Sequence, residues 1–164
     1  KAPGGVDLLM GTFSKALGSF GAYIAGSRAL CDYLANAASG FVYTTALPPM
    51  LLGAIDAALD LLPTLECDRD RLAAHGDHLR NMLRAAGFDC GPSTTQIVPV
   101  ILGDEARTLA ISAHLADAGF LTGAIRPPTV PAGTSRLRLA LSAAHSEDDI
   151  AQLADALVRA RDAA

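Results

Sequence analysis

An α/β fold is predicted for this chain from three patterns. Short apolar runs punctuated by glycine over residues 6–26, with Gly18, Gly21 and Gly26 at the breaks, read as strand, turn and strand. Leu72, His75, Leu79, Met82 and Leu83 recur on one side of a helix over residues 68–86. Leu137, Leu139 and Leu141 alternate with Arg136, Arg138 and Ala140, the period of a strand with one buried face. Apolar residues form 51% of the 164 and charged residues 18%, which suits a packed core and argues against disorder.

Taken in order, an apolar strand over residues 6–10 enters the small-residue turn, and a second strand ends near Ala25. Ser27 can cap a helix whose apolar face carries Leu30, Tyr33, Leu34 and Ala37, with Gly40 ending it. A short extended segment is expected over residues 41–44. Pro48 and Pro49 can open the next helix, because its first positions need no internal N–H donor. Leu51, Leu52, Ile55, Ala58, Leu59 and Leu62 follow at helical spacing. Pro63 is the expected hinge, dividing 1–62 from 63–164.

Beyond the hinge the pattern reads helix, strand, helix, strand, strand, helix, a compact α/β layer. Gly87 stops the long helix. A strand is expected over 97–102, a helix capped by Asp104 up to Ala118, then strands over 120–125 and 135–142. Ser146 caps a final helix, with Asp149 at the third position and acids at its positive end.

Composition also excludes several functions. A net charge of −4 gives little electrostatic support for nucleic-acid binding. No stretch approaches the roughly 20 apolar residues that cross a bilayer, so no membrane association is expected. Mean hydropathy is nevertheless high at +0.31, which buried helices or a large subunit interface would explain. Cys31, Cys67 and Cys90 read as reduced thiols of a cytoplasmic protein. His75 and His78 could share a helix face, but without a third ligand no metal site is expected, and both are read as surface histidines. The first residue is Lys1 rather than methionine, which fits a fragment or a processed product.

Lys15 is the residue around which chemistry can be built. Apolar and small neighbours would desolvate its amine, favouring the neutral, nucleophilic form that condenses with an aldehyde. Read by itself, a lysine at a strand end is ordinarily a solvated surface group. Thr12, three residues earlier, can offer a hydroxyl to a phosphate or bond its own backbone in a turn. Thr44 and Thr45 stand near the mouth of a helix, where hydroxyls and free N–H groups favour phosphate, or where one of them simply caps the helix. Ser14 and Ser19 have no His/Asp partner at a readable spacing, so a serine-hydrolase reading fails.

Three segments in this order resemble one family: Gly11-Thr-Phe-Ser-Lys15-Ala-Leu-Gly18, Phe41-Val-Tyr-Thr-Thr-Ala-Leu-Pro-Pro49, and the run from Ile125 through Arg126-Pro-Pro-Thr-Val-Pro131 to Arg138. They are similar to the α-oxoamine synthases, pyridoxal 5'-phosphate enzymes of fold type I. The resemblance covers nearly the whole chain but only the C-terminal part of such an enzyme. It implies that residues 1–62 are the remainder of the large cofactor-binding domain and 63–164 the small α/β C-terminal domain. Arg126-Pro-Pro-Thr-Val-Pro131 looks most like the biotin-pathway branch, which joins L-alanine to pimeloyl-CoA or a pimeloyl carrier protein.

By that resemblance Lys15 bonds the cofactor and moves the Cα proton, while Thr12, Thr44 and Thr45 bind cofactor. Thr45 is slightly preferred over Thr44, and their segment reaches the neighbouring subunit's cofactor, implying a homodimer with shared active sites. Thr129 contacts substrate, and Arg138 is the fork for its α-carboxylate. Pattern alone leaves Arg136 and Arg138 on one strand face, either or both solvated. Arg126 is either structural or a partner for an anionic group of the acyl donor. His145 is read as a structural or capping residue, since Lys15 already fills the role of base. In similar enzymes the ring-stacking histidine and the aspartate on the pyridine nitrogen lie upstream, so this chain alone is expected to be inactive and poorly stable. Two rivals stand beside this reading: a family member using glycine or serine with another acyl-CoA, and a noncatalytic interaction subunit that keeps the fold.

Overall fold

Two antiparallel sheets organise residues 5–163, the residues that the computed structural model describes. The chain divides into two units, Lys1–Leu65 and Glu66–Ala164.

In the first unit, β1 (Leu8–Thr12) pairs with β2 (Ala22–Gly26) in a register running from Leu8 opposite Gly26 to Thr12 opposite Ala22. Gly11 lies under the Tyr23 ring. A Cβ there would collide with the ring, so any other residue would force the Tyr23 side chain to move. Ser27 caps α1 (Arg28–Ala37), its hydroxyl accepting from the Leu30 N–H at 3.3 Å. α3 (Pro49–Leu61) opens with proline at its first position, and a 3₁₀ turn, Leu62–Thr64, follows it.

The expected extended segment over 41–44 is not extended. Residues 39–42 form a helical turn, α2 (Ser39–Val42), and Gly40 lies inside it rather than ending α1. Ala38 ends α1 instead. Its carbonyl then accepts from Val42 N–H at 3.0 Å, and Ser39 C=O accepts from Tyr43 N–H at 3.1 Å. These local bonds outweigh the β preference of Phe41, Val42 and Tyr43, because no strand among the described residues pairs with them.

The second unit is built around β5 (Ser135–Ala140), the central strand of a sheet ordered β3 (Ile97–Gly103), β5, β4 (Gly123–Ile125). α4 (Glu66–Ala85) and α5 (Glu105–Asp117) pack on that sheet, and α6 (Glu147–Ala163) packs on both helices. Leu137 and Leu139 face the core with Val98, Val100, Ile111, Leu115, Ile150 and Leu157. Side chains of this size contribute about 1.5–3 kcal/mol each when fully buried. Arg136 and Arg138 lie on the opposite, open face, as the alternation requires.

Both α4 and α5 stop through glycine and a bonded phenylalanine. Gly87 and Gly119 have φ of 85° and 89°, and Phe88 and Phe120 N–H groups reach back to Leu83 and Leu115 carbonyls at 2.9 and 2.8 Å. That closure holds Phe120 out of the ladder, so β4 is only Gly123–Ile125 rather than the strand expected from residue 120. Ser146 and Asp149 exchange hydrogen bonds at the start of α6, Ser146 N–H to carboxylate at 2.8 Å and Asp149 N–H to hydroxyl at 3.1 Å.

His75 is buried, not on the surface as expected. The chain near Thr95 runs close over α4, within 3.1 Å of where a Cβ on Gly76 would be, and Arg80 donates to the Thr95 carbonyl and to Asp77. His78 is exposed.

Candidate active site

Lys15 lies in the connection from β1 to β2. Gly18 N–H bonds the Lys15 carbonyl at 3.0 Å, closing a turn that Gly18 enters with φ 61°. Phe13 fastens both sides of the loop, donating to Gly21 C=O and accepting from Ser19 N–H, each at 2.9 Å. Phe13 also packs on Tyr23, centroids 5.1 Å apart. The loop is therefore bonded to itself, and its amine stands on a fixed base.

Within this loop Lys15 Nζ donates to Thr12 Oγ1 at 3.2 Å. The threonine oxygen accepts from the amine and keeps its own hydrogen for another acceptor. Ser19 Oγ, in the same loop, is shielded from water and has no hydrogen-bond partner among the described residues. An amine, an adjacent free O–H and an unpartnered hydroxyl form a donor set that fits a group bearing an aldehyde and a phosphate. The desolvation expected around Lys15 is absent from this unit, however. Its side chain is exposed.

Thr44 and Thr45 are exposed and share no hydrogen bond with Thr12 or Lys15. The Thr44 hydroxyl donates to Gly40 C=O at 2.5 Å, so it is engaged at the end of α2. Thr45 has no such bond. Neither threonine caps α3, which has no side-chain cap. The free N–H groups expected at that helix mouth are also fewer. Pro48 and Pro49 have none, and Leu51 N–H bonds Pro48 C=O at 2.9 Å.

In the second unit, strand alternation left two arginines equivalent, and their bonding separates them. Arg136 donates through Nε to Thr134 C=O at 3.0 Å. The Arg138 guanidinium is exposed and has no hydrogen bond or ion pair among the described residues. Its side chain passes beside Gly123 on the neighbouring strand, where an added Cβ would stand 3.8 Å away. Thr129 is exposed in the connection between β4 and β5. Its N–H bonds the Arg126 carbonyl at 3.0 Å, closing a turn over 126–129. Thr129 and Arg138 share no hydrogen bond.

Arg126 donates to Glu105 at 2.8 Å across 21 residues of sequence. Glu105 drew no attention in the sequence. The only available signal was its place directly after the Asp104 cap. A cavity of about 360 Å³ between Phe120, Leu139, His145 and Asp149 contains none of the expected site residues; His145 there accepts from Ser142 N–H and Asp149 from Ser146 N–H. Among the described residues no helix is long and apolar enough to cross a membrane, and no three metal-binding side chains cluster.

A protein-family model described as aminotransferase class I and II matches residues 2–157. A protein of Bordetella pertussis named as a putative 8-amino-7-oxononanoate synthase is 69% identical over 95% of the chain and 39% of its own length. The 8-amino-7-oxononanoate synthase of Gluconacetobacter diazotrophicus is 61% identical over 94% and 39%. The chain thus spans about two fifths of the length of the curated relatives it matches. Among solved structures, serine palmitoyltransferase of Sphingomonas wittichii superposes with a TM-score of 0.91 at 30% identity, over 96% of this chain and 40% of that one. The S. paucimobilis enzyme with a bound pyridoxal-phosphate adduct gives 0.90 at 29%, over 98% and 41%. A Francisella tularensis 8-amino-7-oxononanoate synthase, at 24% identity, shares the fold with a TM-score of 0.82 over 93% and 44%.

Proposed function

The chain belongs to the aminotransferase class I and II family, a fold type I family whose cofactor is pyridoxal 5'-phosphate, and from that premise we propose that it is the C-terminal part of an 8-amino-7-oxononanoate synthase. This α-oxoamine synthase condenses L-alanine with pimeloyl-CoA or a pimeloyl carrier protein in biotin biosynthesis, releasing the thiol and carbon dioxide. The observation that carries the reading is 69% identity over 95% of the chain to a relative of that name. The Lys15 and Thr12 pair supports it, because amine and hydroxyl stand together at 3.2 Å.

When bound, the cofactor supplies an electron sink for charge developing at the substrate Cα. Lys15 Nζ anchors the cofactor aldehyde and carries the Cα proton from and back to substrate. Thr12 Oγ1 gives its free hydrogen to a phosphate oxygen. Thr45, with no hydrogen bond among the described residues, keeps its hydroxyl for phosphate, whereas that of Thr44 is engaged with Gly40. Arg138 grips the alanine carboxylate until that group departs, since its five donors are uncommitted while Arg136 is held by Thr134. Thr129 contacts substrate from the 126–129 turn.

The first unit leaves Leu9, Met10, Phe20, Phe41, Tyr43 and Met50 largely exposed, and only Ile55 among its described apolar residues is buried. So much exposed apolar surface supports residues 1–62 as part of a larger cofactor-binding domain, completed by upstream chain and by a second subunit in a cytoplasmic homodimer. Residues 63–164 form the small C-terminal domain in this reading, and the chain alone is inactive.

The serine palmitoyltransferase neighbours favour one alternative, serine with a long-chain acyl-CoA. Turnover of the full-length protein decides between them. Product from L-alanine and pimeloyl-CoA is expected. Product only from serine or glycine with another acyl-CoA overturns the assignment.

A further inference from the structure

We propose that Glu105 is a positioning residue for the acyl substrate, acting through Arg126 on the turn that presents Thr129. The inference rests on the α-oxoamine synthase reading above and adds to it a residue and a role.

The Glu105 carboxylate starts from a fixed point. It occupies the first position of α5, directly after Asp104, whose carboxylate accepts from Arg107 N–H at 2.7 Å. From there it reaches Arg126 Nη1 at 2.8 Å. Arg126 is the first residue of the turn, and its carbonyl holds the Thr129 N–H at 3.0 Å. The other hydrogen bonds of this connection are local, Thr134 to Pro131 and Arg136 to Thr134. The ion pair is therefore the side-chain tie from residues 126–134 to a helix of the unit.

Two features make the tie more relevant to substrate than to stability. Both partners are about half exposed, 41% and 51%, and an ion pair so exposed adds little to folding. The segment that it holds, Pro127-Pro128-Thr129-Val130-Pro131, is apolar apart from Thr129, a composition suited to a long acyl chain. Alanine is small and is gripped by charge at Arg138, so it depends less on this loop.

The test uses the full-length, cofactor-loaded protein with Glu105→Gln and Glu105→Asp. Losing an exposed charge pair should raise both KM and the calorimetric Kd for pimeloyl-CoA about two- to fivefold in Glu105→Gln. kcat and KM for L-alanine should stay within about 1.5-fold, and Glu105→Asp should recover part of the loss. An unchanged KM and Kd for pimeloyl-CoA overturns the proposal. So does a fall in kcat and melting temperature with both KM values unchanged, which marks a purely structural role. If the wild type itself fails to use L-alanine and pimeloyl-CoA, the functional reading falls instead.

Discussion

Replacing Leu137 by alanine tests whether the second unit is held by the core described above. Leu137 is fully buried on the central strand β5, opposite Val100 on β3 and Ala124 on β4. Its neighbours lie on two fixed strands, so they can collapse only partly into the space left by the lost carbons. Leucine-to-alanine changes at such sites cost about 3–5 kcal/mol, the transfer cost plus a cavity cost. A domain of about 100 residues loses about 4–8 °C per kcal/mol, so the melting temperature should fall by at least about 12 °C. The assay is thermal and urea unfolding of residues 66–164 expressed alone, followed by circular dichroism. Leu121→Ala is the internal control. That side chain is 99% exposed and its loss should change stability by less than about 0.5 kcal/mol. The reasoning is refuted if Leu137→Ala costs under about 1 kcal/mol, if Leu121→Ala costs as much, or if the isolated segment shows no cooperative transition.

Four further outcomes are expected. Lys15→Ala in the full-length protein should leave no borohydride-trapped cofactor adduct by intact mass and lower turnover at least about 100-fold, and a wild-type rate would end the proposed chemistry. Arg138→Ala should raise KM for L-alanine about thirtyfold or more while Arg136→Ala does far less, and equal effects would remove the distinction drawn from their bonding. Asp149 is held below the ordinary aspartate range by the Ser146 backbone N–H, then by the Ser146 hydroxyl. A depressed carboxyl stabilises the fold above the unfolded aspartate value and loses that effect as pH falls through the lower folded one. The gap in melting temperature between wild type and Asp149→Asn should therefore be full at neutral pH and close in acid, and a gap independent of pH would contradict this. Burial pushes the Cys90 thiol up, and that side chain is 1% exposed while Cys67 is exposed. Maleimide should label Cys67 at once and Cys90 only after unfolding, and equal rates would show that the core is open.

Features that depend on few residues close in sequence were legible without coordinates. Ser27, Asp104 and Ser146 cap their helices as their side chains allow, because each partner lies within three residues. The Thr12 and Lys15 pair belongs to the same class, two groups three residues apart in one glycine-closed loop. Leu137 and Leu139 faced inward because a strand's period is built into its covalent geometry.

Tertiary structure decided what depends on a neighbour distant in sequence. Phe41 and Val42 became helical for want of a strand to pair with, and His75 became buried because the chain near Thr95 crosses α4. Arg136 and Arg138 are indistinguishable by pattern and differ in exposure and in whether a carbonyl reaches them. Glu105 meets Arg126 across 21 residues, and no local rule records such a pair. Short-range order follows from backbone and side-chain geometry alone, whereas burial and partner choice follow from which surfaces the completed fold brings against one another.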